Sequence, residues 1–364
     1  MAQSYGSVGV SQRVAETTIS EWAREVSEET SGNFVVLAKL KARGRIEKDC
    51  HGVNFRWPVR NRRHTLKGFQ DNVALDFTRK NTKTRAYLDW AGYYSTEAIT
   101  LREKAENGGK EAFLKVFQGR EELVRQGLME ELAGEFYQDG TAYTDVPTPW
   151  TGLEAMMGYS TQTATDHLAS IPSDTYAGLS TILGTVGGST TDSVLKRLWT
   201  PAIVNCVYNP GAGVRSWANY GDEHIRHLVT HTRWGKKATT DLVLCDKDSF
   251  EDLKNLLDDK EQIRITRGED LETVKLGFKD FIGLDGVEIG WDEACPITDG
   301  TRVVHGYGFA CDKMKLKLLG QSQIWLADID WNNSMQADEI ALIHQGQLQF
   351  ESPRCFGALK ELTP

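Results

Sequence analysis

The chain of 364 residues has six cysteines but no two of them spaced C-x-x-C. Cys50, Cys206, Cys245, Cys295, Cys311 and Cys355 lie far apart, which excludes a zinc knuckle and a thioredoxin-like motif and leaves buried free thiols in a reducing compartment as the expectation. No run of ~18 apolar residues is present, and the start MAQSYGSVGVSQRVAETTIS has no basic stretch followed by an apolar one. Neither a membrane span nor a secretory signal is therefore expected, and the chain reads as a soluble cytoplasmic product. With only nine prolines, no low-complexity tract and no internal repeat, disorder and solenoid architectures are excluded. Positive charge is in the minority: 42 Lys and Arg against 51 Asp and Glu leave a net charge of −9. That argues against a dedicated nucleic-acid binder, because duplex affinity rests on Lys and Arg neutralising phosphates.

Signatures of chemistry are also missing. The glycine-rich GTVGGSTTDS lacks the Lys-Ser/Thr of a phosphate-binding loop and does not join an apolar strand to a helix, so it reads as a turn or interface loop. There is no G-x-S-x-G elbow, and Glu121-Glu122 falls on the solvated side of a helix. His224, His227 and His231 in NYGDEHIRHLVTHTRW share a helical face, a spacing that can ligate a metal, but no Glu follows the first His as in H-E-x-x-H. A partly exposed polar face is the preferred reading. No catalytic residue, cofactor or metal centre is assigned, and an enzyme is not expected.

What is present is an ordinary globular composition, 40% hydrophobic and 26% charged, in a chain longer than one core usually supports, so two lobes or one elaborated domain are expected. Val14, Ile19, Trp22 and Val26 recur at helical spacing, and FVVLAKL (34–40) reads as a short strand; this N-terminal arm has little core of its own. From Gly52 the period changes to two. Val53, Phe55 and Trp57 alternate with Asn54, Arg56 and Pro58, and Val73, Leu75 and Phe77 with polar neighbours, so NRRHTLKGFQDN reads as the tip of a long hairpin. Nine basic residues (Arg56, Arg60, Arg62, Arg63, Lys67, Arg79, Lys80, Lys83 and Arg85) stand there against Asp71 and Asp76. A solvated loop, a nucleic-acid contact and an arm that reaches an acidic neighbour are the three readings. The aromatic residues alternate as strand residues rather than as stacking platforms, which favours the arm.

The strongest periodic element follows. Phe113, Leu114, Phe117, Val124, Leu128, Leu132 and Phe136 form one stripe of a helix of about 28 residues between Gly108-Gly109 and Gly140, roughly 40 Å at 1.5 Å per residue. Beyond a loop-rich passage, a helix at 218–234, a buried-strand run TTDLVLC, a helix DSFEDLKNLLDD capped by Asp248 or Ser249, and strands in VKLGFKDFIGLDGVEIGWD suggest a compact α+β lobe. The C-terminus returns to strands in RVVHGYGFAC, KLKLLGQSQIWLAD and EIALIHQGQLQFESPRCFGAL.

This order of parts resembles the major capsid proteins of tailed bacteriophages with the Hong Kong 97 coat fold. DGTAYTDVPTPWTGLEAMM is similar to that family's passage out of the spine helix, and TYAGLSTILGTVGG followed by LWTPAIVN to its "tyggl…W.a" stretch, with Trp199 in the Trp position. TTDLVLCDKDSFEDLKNLL resembles the family's strand-then-helix, with Thr240 where relatives have Pro. GFKDFIGLDGVEIGWDEACPITDGTRVVHGYGFACDKMKLKLL resembles "gf..l.f.G.pvi.D...p.g..yf.n...l.l". The resemblance implies an α+β coat fold with an N-terminal arm (1–51), an extended β-hairpin loop (52–97), a peripheral domain (98–200 plus 305–364) around a spine helix at 109–138, and an axial domain (201–304). It implies a structural protein that self-assembles as homo-pentamers and homo-hexamers of an icosahedral head in the virion, enclosing double-stranded DNA through non-specific contacts. Assembly in a bacterial cytoplasm is implied too, with a separate scaffolding protein, a portal and a decoration protein as partners and no membrane. On this reading the basic hairpin is the inter-subunit loop, and Phe113, Phe117, Val124, Leu128, Leu132 and Phe136 are the packing face of the spine. Some relatives crosslink Lys to Asn; Lys67, Lys80 and Lys83 occur in the hairpin, but no spacing identifies a pair. An encapsulin-like nanocompartment shell is the alternative of the same fold, and a metal-dependent enzyme built on the histidine helix is the alternative of a different class.

Overall fold

A computed structural model of the chain describes residues 34–62, 81–100, 131–140, 149–158, 174–183, 198–211, 213–233, 239–259, 271–278, 280–300, 302–320 and 337–362, with shorter stretches between them. Helix α1 (Val35–Ala42) leads into β1 (Ile46–Glu47), β2 (Asn54–Arg60), β3 (Lys83–Asp89) and β4 (Ala91–Thr100). The described residues of 123–135 are helical. Short strands β5 (Thr175–Tyr176), β6 (Leu179–Ser180), β7 (Thr185–Val186) and β8 (Ser189–Thr190) precede β9 (Ala202–Asn205). Then come α2 (Trp217–Thr232), β10 (Leu242–Cys245), α3 (Lys247–Asp259), α4 (Glu272–Lys275), β11 (Ile282–Leu284) and β12 (Val287–Trp291). The chain finishes with β13 (Val304–Phe309), β14 (Met314–Leu318), β15 (Trp325–Leu326), β16 (Asp330–Asn332), β17 (Ala337–Phe350) and β18 (Gly357–Lys360).

One six-stranded sheet, ordered β11-β12-β10-β13-β18-β9, is a wall between two cores. Leu242 and Leu244 face the larger core and Val243 and Cys245 the smaller one, and the same alternation puts Ile203 and Ala358 on one side and Val204 and Leu359 on the other. Both faces are covered, so β9, β10, β13 and β18 are buried at every residue. That accounts for the continuous apolar run LVLC, where a half-exposed strand would alternate. The smaller core lies under α2 and α3, through Ile225, Leu228, Phe250, Leu253 and Leu257. Leu228 seats directly on Gly308 and Gly357, neighbours in the β13–β18 register, where a Cβ would meet its methyl carbons at 2.9 and 2.5 Å. This sheet takes in strands on both sides of residue 304, including the C-terminal β18.

In the second sheet β14 and β4 both pair with the long β17, the latter over ten residue pairs, and β1 runs parallel to β14. β14 alternates as a one-sided strand should: Met314, Leu316 and Leu318 point inward, and Lys315 and Lys317 reach Glu47 at 2.8 and 3.1 Å. The long helix ends in the larger core, where Val124, Leu128, Leu132 and Phe136 are buried beside Trp150. Phe113, Leu114 and Phe117 lie outside the described residues.

Several local expectations are corrected. Residues 35–42 form a helix, not a strand. The β-branched pair Val35-Val36 signals a strand, but residues 35–40 are all buried and the helix is stopped by Gly44 at φ 62°, with Arg45 N–H bonded to the Leu40 carbonyl at 2.7 Å and Gly44 N–H to Lys41 at 3.1 Å. Within that helix Lys39 is buried and pairs with Glu288 at 2.5 Å, so residues 35–42 belong to the core rather than to a loose arm. The cap of α3 is Asp246, whose Oδ2 accepts the Ser249 N–H at 3.1 Å, rather than Asp248 or Ser249. Val274 and Lys275 are helical, in α4. A strand of the hairpin runs over Lys83–Asp89; Phe77 lies outside any strand and is 88% exposed, as is Val53 at 90%, whereas Val73 and Leu75 lie outside the described residues. Of the six thiols, all free, five are buried and Cys50 is half-buried.

Candidate assembly interface

Strands β2 and β3 make a two-stranded antiparallel ribbon with Arg56 opposite Tyr87, Pro58 opposite Arg85 and Arg60 opposite Lys83. Period-two alternation splits it into two unlike faces. Phe55, Val59, Ala86 and Leu88 are buried, whereas Arg56, Pro58, Arg60, Lys83, Arg85 and Tyr87 are exposed. The inner face is moored by aromatic contacts: Phe55 stacks on Trp57 at 5.7 Å, Trp57 meets Trp199 at 6.4 Å, and the Trp90 indole N–H donates to the Gly52 carbonyl at 2.7 Å. A second anchor comes from the β5–β6 hairpin. Its two-residue turn has Ala177 at φ 53° and Gly178 at φ 74°, the left-handed pair that suits a tight hairpin, and the Tyr87 N–H bonds the Ala177 carbonyl at 3.1 Å. Gly178 also lies against the Tyr87 ring, where a Cβ would sit 2.4 Å from Cε1. The stem of the hairpin is therefore packed on its own chain.

The outer face places like charges side by side. Arg60 and Lys83 are cross-strand partners, with Arg56, Arg62 and Arg85 close in register, and none of the five forms an ion pair among the described residues. Arg56 and Arg60 make only local hydrogen bonds, to Asn54 and to the Arg62 carbonyl. Like charges directly opposite on a ribbon are destabilising. The result is a concentrated positive face, without ion pairs among the described residues, in a chain of net charge −9. Arg63, Lys67, Arg79 and Lys80 lie outside the described residues.

An open cleft of about 690 Å³, lined by Asp139, Glu154, Asp174 and Asp299 among others, lies where the end of the long helix meets the wall sheet. Lys360, buried on β18, lies 2.7 Å from Glu154 and 2.8 Å from Asp299, and Tyr307 donates to Glu154. Burial pushes the Glu154 carboxyl up, against the pull of Lys360. Burial, with Asp139 nearby, pushes Asp174 to about 6, although it accepts hydrogen bonds from the Gly158 and Thr175 amides. Tyr137 at the end of the long helix donates to Asp292 at 2.6 Å, tying that helix to the C-terminal end of β12.

The histidine helix is rearranged relative to expectation. His224 is wholly buried, stacked on Trp217 with ring centroids 6.3 Å apart, and burial lowers its pKa to about 4. It does not share a site with His231, because seven residues of helix rise roughly 10 Å. His227 and His231, one turn apart, instead meet His167 from the segment before β5; one nitrogen of each ring lies within 4.8 Å of the others. His167 carries no local signal in the sequence, since only the fold brings it to a helix that begins fifty residues later.

No protein-family model matches the chain, and no curated protein matches it in sequence. Solved structures do match over most of its length. The capsid of a native GTA particle superposes with a TM-score of 0.53 at 10% identity, covering 88% of this chain and 90% of that one. The capsid of cyanophage A-1(L) gives 0.51 at 13% identity, covering 88% and 91%, and the capsid of an empty GTA particle 0.51 at 8%, covering 88% and 89%. At these identities the likeness is one of fold: the chain has the mixed helix-and-sheet coat fold of the Hong Kong 97 type. No helix among the described residues is long and apolar enough to cross a membrane.

Proposed function

We propose that this chain is the major coat subunit of a phage-type head, assembling as pentamers and hexamers into an icosahedral shell around double-stranded DNA. The observation that carries the reading is the coat fold shared with capsid subunits over 88% of the chain. The ribbon supplies the physical device. Its inner face is held by its own core, so the outer basic face is presented to a neighbouring copy at little further entropy cost, and electrostatic complementarity steers and registers that contact. Each contact is weak; many linked contacts make a stable shell and let misplaced subunits leave before closure. The chain acts as a structural protein and not as a catalyst, assembled in the host cytoplasm with a separate scaffolding protein, portal and decoration protein.

Negative-stain electron microscopy of the chain, expressed alone and with its neighbouring gene products, tests this. Closed shells or five- and six-fold rings are expected. A monodisperse small oligomer under every condition overturns the coat reading, and shells filled with enzyme cargo in place of DNA replace it with a nanocompartment.

A further inference from the structure

We propose that His167, His227 and His231 form a binding site for a late first-row divalent metal ion, Zn²⁺ being the natural occupant, which clips the segment before β5 to helix α2. The three rings each offer one nitrogen within 4.8 Å of the other two, and all three side chains are half-buried, shielded yet within reach of solvent. His167 Nε2 and His231 Nε2 are 3.3 Å apart. Two nitrogens bound to one tetrahedral zinc at ~2.0–2.1 Å stand about 3.3–3.4 Å apart, so this pair already has ligand spacing. His227 and His231 are one helical turn apart on one face, the separation at which two imidazoles reach a common ion. The third ring, His227, stacks on His167 at 4.3 Å between centroids, with a nitrogen inside the same 4.8 Å cluster.

The surroundings are those of a held ligand set. Glu223 lies 3.3 Å from His227 Nε2 and is itself bonded by Arg215 and by the Tyr208 hydroxyl at 3.0 Å. A carboxylate on a ring nitrogen orients an imidazole and raises its basicity toward a metal. The loop side is fixed through its backbone: Asn205 N–H bonds the His167 carbonyl at 2.9 Å, and Leu168 bridges to Val204. Three neutral imidazoles with no thiolate suit zinc, nickel, copper or cobalt over calcium or magnesium. A stacked, hydrogen-bonded trio of imidazoles without a metal is the competing account, and it predicts no metal uptake.

Cobalt(II) is the probe. The metal-stripped full chain is expected to take up one Co²⁺ with the visible absorption of a four-coordinate ion, displaceable by Zn²⁺, and to melt at higher temperature with Zn²⁺ present. His167→Ala and His231→Ala, checked for native circular dichroism, should each weaken uptake at least tenfold, while His51→Ala, at an exposed site, leaves it unchanged. Should His231→Ala fail to fold, His231→Gln takes its place. Failure of the wild-type chain to bind cobalt, or uptake that is indifferent to these substitutions, overturns the proposal.

Discussion

Lys360 Nζ lies 2.7 Å from Glu154 Oε2 with the lysine side chain 1% exposed, so the C-terminal strand is tied by a buried charge to the loop that follows the long helix. Asp299 at 2.8 Å completes the set. Breaking a buried pair from one side strands the partner charge, at about 3–5 kcal/mol. Lys360→Met is expected to lose that much in urea denaturation of the unassembled chain, and adding Glu154→Gln and Asp299→Asn recovers part of it. A Lys360→Met chain as stable as wild type would show that the pair does not hold β18 to the segment that carries Glu154.

The close seating of α2 on the wall sheet depends on glycine. A Cβ on Gly357 would sit 2.2 Å from the Ala202 carbonyl oxygen and 2.5 Å from Leu228 Cδ1, whereas one on Gly308 would meet Leu228 and Thr240 side-chain carbons at 2.9 and 3.0 Å. Both Gly→Ala changes should destabilise by about 1–3 kcal/mol. Leu228→Ala in the same chain relieves Gly308→Ala but not Gly357→Ala, because a backbone carbonyl does not move aside. Thermal melts of the four variants distinguish the two cases.

The ribbon's outer charges are expected to act between chains and not within one. Arg60→Glu, Lys83→Glu and Arg85→Glu together should shift the stability of the unassembled chain by no more than about 0.5 kcal/mol per site, since all three are exposed and lack ion pairs among the described residues. Assembly, followed by light scattering, should slow at least tenfold. Raising salt should slow the wild-type chain toward the variant, because exposed charges are screened beyond a Debye length of about 8–10 Å.

His224 gives the chain an acid limb. Its ring is held neutral by burial, with a pKa of about 4 in place of the ordinary 6.5. Between those values the unfolded chain binds the proton and the folded one does not, so stability is fully present above pH 6.5 and is lost as pH falls toward 4. His224→Phe keeps the ring stacked on Trp217 and removes the titration. The variant should lose on the order of 2–3 kcal/mol less than wild type between pH 7 and pH 4.5 in guanidinium denaturation. Equal losses would place the acid sensitivity elsewhere.

Much of the fold was legible in residue order because it is written in local periods. The alternation around Phe55 and Trp57 marks the ribbon's first strand, the three-and-four spacing of Val124, Leu128, Leu132 and Phe136 marks the end of the long helix, and the unbroken LVLC marks a strand covered on both sides. The segment resemblances to tailed-phage coats pointed to the same fold that the superposed capsids share.

Other features depended on partners distant in sequence. Val35-Val36 reads as strand until Lys39 finds Glu288 and residues 35–40 are buried in the core. His224 and His231 look equivalent on a helical wheel, yet one lies under Trp217 and the other opposite His167, because the wheel has no axial coordinate. The sequence by itself determined where charge and apolar periodicity lie, since both are properties of neighbouring residues. Which side of a buried wall each strand serves, which charges are neutralised in the core, and which histidines converge were decided by the tertiary structure, because burial and ion pairing are set by distance in space and not along the chain.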